Sequence, residues 1–520
     1  MAILEGKLVL SFDLGTTAIK VGLFNLKGEL LQTATREQRL IFFEDGRVEQ
    51  SPRATWELIA SSVREVMVGR SPSQVKAIAL SVHRGTVIPL DGNGEPLSDF
   101  IVWMDKRGLA IAQEVAARIG QERYYNISGH PMSYITGVSK ALWLHHQAKD
   151  LQAELAVIAP HETLFLKWLG CTDLVCAQST GTYLFPFVIE SKTWSPQLAQ
   201  ELDFPLDKLP RLVTSTEVVG ELSRKAAQEL GLLPGIAIVP GGGDGQCAGV
   251  GSGAVEEGLC MINIGTGAGI QTYLVRPLKE PRHVLNCAAH VVPDGWEMEG
   301  HTQASGIVFR WLRDEFGATE LAVEHHSGLD AFDLLVEQAR HTPAGAGGLL
   351  FLPTFNGSTA PVIDQTARGA LLGLSLAHGR RHVIRAVLEG ISLELRWMLD
   401  AISEAGTTIR EVRLVGGGAR NAHWNQIHAG ILDRPVRTLQ IVDAALVGAA
   451  MCAAVAVGEY KDLHAAAEQF VKFRDTIEPL EADRPVYQAA YENYRQAFTL
   501  LSESGFFRRL QGEQSGKVKI

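Results

Sequence analysis

Five short stretches of this chain carry residue types that handle phosphate, hydroxyl and proton chemistry. Phosphate oxygens need backbone N–H groups that approach closely, which is why phosphate-holding turns use Gly and small hydroxyl residues. Asp13-Leu14-Gly15-Thr16-Thr17 offers such a turn with a carboxylate beside it, and Lys20 follows within reach of a phosphate. By itself the same stretch is equally an ordinary hairpin with Asp at its turn. The glycine run Gly241-Gly242-Gly243-Asp244-Gly245 reads as a loop that surrounds one carboxylate with bare backbone, so a bulky ligand can come near Asp244. A carboxylate at its ordinary pKa is ionised at neutral pH and can accept a proton. Gly243-x-Gly245-x-x-Ala248 also fits a dinucleotide fingerprint, but the next strand ends at Asn263-Ile264-Gly265 with no acid for a ribose. Gly416-Gly417-Gly418, before Ala419-Arg420-Asn421, would let a flat ring or a ribose lie against a strand-to-helix turn. Ser81-Val82-His83-Arg84-Gly85 and Trp103-Met104-Asp105-Lys106-Arg107 mix polar and aromatic groups suited to a small polyhydroxylated substrate. Taken singly, His83 and Trp103 read as satisfied core residues.

The elements that must position these residues alternate short β-rich runs with longer helical ones, an α/β pattern. Strands are expected at 8–12, 20–24, 75–81, 236–240, 259–264, 270–275 and 411–415. Helices are expected at 52–68, 109–119, 378–405, 422–432 and 444–457. The strand–turn–strand around Gly15 is echoed by Met261-Ile262-Asn263-Ile264-Gly265-Thr266-Gly267, with Gly15 and Gly265 half a chain apart. That echo predicts two similar domains facing each other across a cleft, residues 1–253 and 254–507, with a loose polar tail at 508–520.

At 520 residues the chain is long enough for several cores, and a hydrophobic fraction of 46% excludes wholesale disorder. The net charge of -10 argues against nucleic acid or an anionic membrane as the main partner. The longest apolar run, 444–458, is too short to span a bilayer and reads as a buried helix. The start lacks a signal-peptide core. Six scattered cysteines with no C-x-x-C read as buried thiols rather than a zinc site. A cytoplasmic protein is expected.

In combination the motifs resemble the FGGY carbohydrate kinases, within the actin, heat-shock chaperone and sugar-kinase superfamily. Gly369-Ala370-Leu371-Leu372-Gly373-Leu374, then His382-Val383 and Ala386-Val387-Leu388-Glu389, fit that family's C-terminal signature. The order of the Asp13 turn, Trp103-x-Asp105-x-Arg107, Asp244, Gly265-Thr266-Gly267 and the Gly416 run fits as well. The resemblance implies two ribonuclease-H-like domains across an ATP cleft, and transfer of the ATP γ-phosphate to a hydroxyl of a sugar or polyol. By position it implies Asp244 as catalytic base and substrate contact, and Asp13 as a holder of Mg²⁺. It implies Thr16, Thr17, Lys20, Gly265, Thr266, Gly306, Gly417, Gly418 and Asn421 as nucleotide contacts. His83, Arg84, Trp103, Asp105 and Tyr134 are implied as substrate contacts, and a homodimer is implied as the assembly.

The acceptor is less sharply drawn. Val82-His83-Arg84-Gly85 departs from the Gln-Met-His-Gly of xylulose kinases. Arg84 matches the arginine of glycerol kinases, but Gly85 lacks the acid that follows it there. Glu299-Gly300 and Trp311-Leu312-Arg313-Asp314 are glycerol-kinase-like, while Gly269 replaces an aromatic of that group and suits a longer substrate. A ketopentose such as D-xylulose is the leading expectation, with glycerol or another polyol as the alternative. From another class, chaperone-like relatives use ATP as a switch, which keeps a non-catalytic or sugar-sensing reading open.

Overall fold

The structure, a computed structural model, describes residues 6–512. Two mixed sheets dominate it. The first runs β5-β6-β4-β1-β2-β3, from β1 (Leu8–Leu14), β2 (Ala18–Asn25), β3 (Leu30–Glu37), β4 (Val75–Val82), β5 (Gly220–Glu221) and β6 (Ala237–Gly243). The second runs β9-β10-β8-β7-β11-β12-β13. Its strands are β7 (Leu259–Ile264), β8 (Ala268–Leu274), β9 (Asn286–Ala289), β10 (Trp296–Thr302), β11 (Glu411–Val415), β12 (Val436–Leu439) and β13 (Phe473–Ile477).

The echo between the two turns extends to whole sheets. In the first, the antiparallel β1–β2 hairpin is flanked by parallel β4 on one side and antiparallel β3 on the other. In the second, the β7–β8 hairpin is flanked by parallel β11 and antiparallel β10. This is the repeated, ribonuclease-H-like arrangement. A smaller five-stranded antiparallel sheet contains Val87–Leu90 and Phe100–Ile101, so it carries the His83–Thr86 turn and the Trp103 segment at its ends.

Alternation along β1 explains both faces of the first sheet. Leu8, Leu10 and Phe12 face α1 (Pro52–Val66), which buries Trp56, Ile59 and Val63 against them. Val9, with Ala77 and Ala79 of β4, faces the other way, toward Leu446, Ala450 and Ala453 of α5 (Ala444–Ala456). The run expected to be a buried helix is therefore apolar all round because it is enclosed on every side. It also crosses the division expected near Gly253. Residues from the late chain, through Phe470, complete the core of the first sheet, and Tyr460 Oη donates to the Leu26 carbonyl at 2.6 Å.

Two expectations need correction. Gly241–Gly243 is not a loop but the end of β6, because parallel pairing to β4 uses only backbone groups. The loose tail expected from Arg508 does not begin there. Phe506–Gly512 is a helix anchored by buried Phe507, and residues 513–520 lie outside the described residues. Among the described residues no helix is long and apolar enough to cross a membrane.

Candidate active site

In open α/β sheets, ligands gather beyond the C-terminal ends of parallel strands. Here β6, β4 and β1 are adjacent and parallel, and their C-terminal ends deliver Gly243-Asp244, His83-Arg84 and Asp13 to one place. The delivery of Asp244 depends on an irregularity between Val239 and Gly242. Gly241 sits there at φ +66, where a Cβ would lie 1.8 Å from the Leu80 carbonyl oxygen. Only glycine fits. Asp244 then opens α2 (Asp244–Gly251), where the positive helix end favours an anion, and its Oδ1 accepts from the Gly245 N–H at 2.8 Å.

Arg84 organises the group. Its Nε lies 3.3 Å from Asp244 Oδ1, and its Nη1 donates to Glu299 Oε2 and to Tyr183 Oη, each at 2.6 Å. Glu297 Oε1 is 3.6 Å from the same Nη1. Burial alone would lower the guanidinium's pKa, but Glu299, Tyr183, Asp244 and Glu297 outweigh it and raise it. Glu299 also accepts from Tyr183 Oη at 2.8 Å, Gln271 Nε2 at 2.5 Å and Asn286 Nδ2 at 3.3 Å, and pairs with His301 Nε2 at 2.8 Å. Burial pushes its pKa up, yet Arg84 and His301 bring it well below the usual carboxylate range. Glu297 goes the other way. Burial and the neighbouring Glu299 raise it well above that range, and neither of its oxygens has a hydrogen-bond partner.

The other four expected substrate residues are each placed differently. His83 is buried beside Asp244, stacked on His161 at 4.2 Å and paired with Thr86 Oγ1 at 3.0 Å; burial lowers its pKa to about 4, leaving it neutral. Trp103 Nε1 donates to Thr16 Oγ1 at 3.0 Å, joining the substrate segment to the β1–β2 turn. Tyr134 stands on a loop whose carbonyls at 134–136 all accept from the buried Lys140 ammonium. That loop abuts the Arg84-Gly85 turn, since a Cβ on Gly85 would lie 2.4 Å from the Ile135 carbonyl oxygen. Asp105 is the correction. It is fully buried, and its oxygens accept from the Val48 N–H at 2.7 Å, the Arg107 N–H at 2.9 Å and the Arg107 guanidinium at 2.8 and 3.0 Å. With no acceptor left, it positions Arg107 and the strand at Val48 instead of meeting a substrate.

On the phosphate side, burial raises the Asp13 carboxyl to about 6. Ser81 Oγ donates to it at 2.8 Å and opposes that rise, while Asp244 and Asp443 add to it. Lys20 pairs with Asp443 at the start of α5. Thr17 is exposed at the turn. Among the described residues there is no cluster of three or more His, Cys, Asp or Glu arranged to hold a metal. Asp13 as a single hard oxygen donor, completed by phosphate oxygens and water, fits Mg²⁺.

The second sheet presents its own turns at the ends of the adjacent parallel strands β7 and β11. Gly265 and exposed Thr266 are stitched to α3 (Gly306–Phe316). The Gly306 N–H donates to the Gly265 carbonyl at 3.0 Å, and a Cβ on Gly306 would lie 2.2 Å from that oxygen. A Cβ on Gly417 would meet nothing within 4 Å, whereas Gly418 packs on Ile264. Asn421 is committed elsewhere. It caps α4 (Ala422–Leu432) through the His423 and Trp424 N–H groups and donates to Asp333 at 2.6 Å, so its amide shapes the turn.

Sequence reasoning missed Glu297, Gln271, Tyr183 and Asp443 as site residues. The available signal was Glu297-x-Glu299-x-His301, a polar period of two on a strand, which puts all three on one face. A separate cavity of about 730 Å³ beside Trp56, Trp168, Lys167 and Lys225 shares no lining residue with this group.

The FGGY family of carbohydrate kinases matches the chain twice, its N-terminal domain over residues 8–251 and its C-terminal domain over residues 260–457. The xylulose kinase of Bacillus subtilis (strain 168) is 28% identical over 95% of this chain and 97% of its own. The gluconokinase of the same organism is 26% identical over 88% of this chain and 90% of its own. In fold, the ligand-bound xylulose kinase from Lactobacillus acidophilus gives a TM-score of 0.87 at 24% identity, covering 95% of this chain and 98% of that one.

Proposed function

The chain belongs to the FGGY family of carbohydrate kinases, phosphotransferases with an alcohol group as acceptor, and we propose that it phosphorylates a ketopentose such as D-xylulose with Asp244 as general base. The observation that carries this reading is the convergence of Asp13, Arg84 and Asp244 beyond three adjacent parallel strands. Phosphoryl transfer asks a protein mainly to position reactants and balance charge, because the transition state is loose. Asp244, 40% exposed, is open to an acceptor hydroxyl while Arg84 fixes its orientation. As the hydroxyl oxygen bonds to the γ-phosphorus and the bond to ADP breaks, the hydroxyl proton passes to the Asp244 carboxylate. Bound with ATP, Mg²⁺ supplies charge neutralisation at the phosphate oxygens, and Asp13 would hold it. Thr16, Thr17 and Lys20 reach the phosphates from the first sheet, with Gly265, Thr266 and Gly306 doing so from the second. The open backbone at Gly417 receives the nucleoside, with Gly418 packed on Ile264 behind it and Asn421 shaping the wall. His83, Arg84, Trp103 and Tyr134 surround the sugar, and closure of the two halves keeps water from competing for the phosphate.

The test is coupled ADP release with MgATP across ketopentoses, ketohexoses, pentitols, tetritols and glycerol, with D-xylulose expected to respond most strongly. Asp244→Asn is expected to lower kcat by about a thousandfold or more while nucleotide affinity stays near that of the parent. Near-normal turnover would remove Asp244 from the role of base, and a strong response to glycerol alone would move the acceptor to the small polyols.

A further inference from the structure

The wall that β10 presents to Arg84 holds more acid than one guanidinium can balance. Glu297 and Glu299 alternate to the same face, each 1% exposed, with Arg84 Nη1 at 3.6 and 2.6 Å. Asp244 approaches the same guanidinium from the first sheet at 3.3 Å. The acids are not equal. Glu299 collects five polar partners and keeps its charge, while Glu297 makes no hydrogen bond and is held toward the neutral acid by burial and by Glu299. Among the described residues, the other basic groups placed in this site are neutral or paired. His83 and His130 are both pushed to about 4 by burial and are neutral, and Lys20 is paired with Asp443.

We infer that Glu297, Glu299 and Asp244 together occupy Arg84, and so restrict the acceptor to uncharged sugars and polyols and reject aldonates. This rests on the kinase reading above and sharpens its substrate class, because the resemblance to a gluconokinase makes aldonates the natural rival. The exclusion follows from the geometry. If Glu299 loses its charge, one cause of Glu297's raised pKa goes while burial, the larger one, stays, and the Glu297 carboxyl still lies 3.6 Å from Arg84. Removal of both carboxylates leaves Asp244 as the one acid on Arg84 and opens Nη1 to a substrate carboxylate.

The experiment compares kcat/KM for neutral ketoses and pentitols with that for the matching aldonates, using MgATP and the full chain. The parent is expected to prefer the neutral class by about a hundredfold or more, since a site whose basic groups are neutral or paired must desolvate the anion unpaired. Glu297→Gln and Glu299→Gln, each alone, are expected to hold that preference within about threefold, and the double variant to erode it by about tenfold or more. An aldonate as the parent's best substrate would overturn the inference, and so would a double variant that turns over neutral acceptors with its preference unmoved. If the double variant does not fold, equilibrium binding to the parent decides. Neutral acceptors should raise its melting temperature in the presence of MgADP, and aldonates at equal concentration should not; equal stabilisation by both would end the argument. If neither class is phosphorylated although MgATP binds, the kinase reading itself fails and takes this inference with it.

Discussion

Glu394, in the helix Arg380–Glu404, shows what a single buried acid does to this protein. It is 5% exposed, its Oε2 has no partner, and burial alone raises its pKa from 4.5 to about 8. The folded chain therefore keeps a proton that the unfolded chain releases. Its contribution to stability is fully present below pH 4.5 and is lost as the pH rises from there through about 8. The loss is on the order of a few kcal/mol. Urea denaturation across that window should show parental stability falling more steeply with pH than that of Glu394→Gln, which has no proton to lose. Parallel profiles would show that the carboxyl is not held neutral. The same scale explains why Asp105 was misread. Its sequence position matches a substrate-side motif, but nothing in a sequence shows that Val48 and Arg107 consume all its acceptor sites. Glu297 was hidden for a related reason, since its importance comes from Arg84, more than two hundred residues away.

At the scale of elements, the hairpin β1–β2 and the helix α5 meet through one ion pair. Asp443 stands at the start of α5 but makes no side-chain cap there, and its carboxylate goes to Lys20 instead. Both side chains are about one-third exposed, so the pair can open to a competing anion. A phosphate that recruits Lys20 must displace Asp443 and then sit beside its negative charge. Asp443→Asn removes the competitor without changing shape, and is expected to tighten ADP binding by about three- to tenfold at low ionic strength, less at high salt. Calorimetry at two salt concentrations checks this, and weaker binding in the variant would show that Asp443 orients Lys20 toward the phosphate. Much at this scale was legible beforehand. The strand 259–264 and the helices 109–119 and 422–432 were placed at their observed bounds because apolar spacing and end residues agree there. Gly241–Gly243 misled because a glycine run reads as a loop, whereas here bare backbone pairs as a strand and turns through one positive φ. The Glu297–His301 strand was hidden because both its faces are buried, Met298 in the apolar core and Glu297 and Glu299 against Arg84.

The whole molecule depends on how closely two helices from different halves of the chain can cross. The repeated hairpins foretold two similar sheets, but no local pattern shows that α5 leaves the second half to cover the first sheet, because burial on every side erases helical periodicity. What permits it is the absence of side chains at the crossing. A Cβ on Gly251 of α2 would lie 1.9 Å from the Ala444 carbonyl oxygen, and one on Gly448 of α5 would lie 1.9 Å from that of Cys247. Both clashes are with backbone, which no rotamer change relieves. α2 begins with Asp244, and α5 begins beside Asp443, so separating the helices at this crossing shifts the base and the Lys20 pair together. Gly448→Val is therefore expected to lower stability by about 3 kcal/mol and, in the fraction that stays folded, to cut kcat more than it weakens nucleotide binding. Gly379→Ala, which adds a methyl where nothing lies within 4 Å, is the matched control. Denaturation curves and single-turnover rates on the two variants separate the effects. A folded Gly448→Val enzyme with parental turnover would mean that the crossing holds the halves together without setting the geometry of the reacting groups.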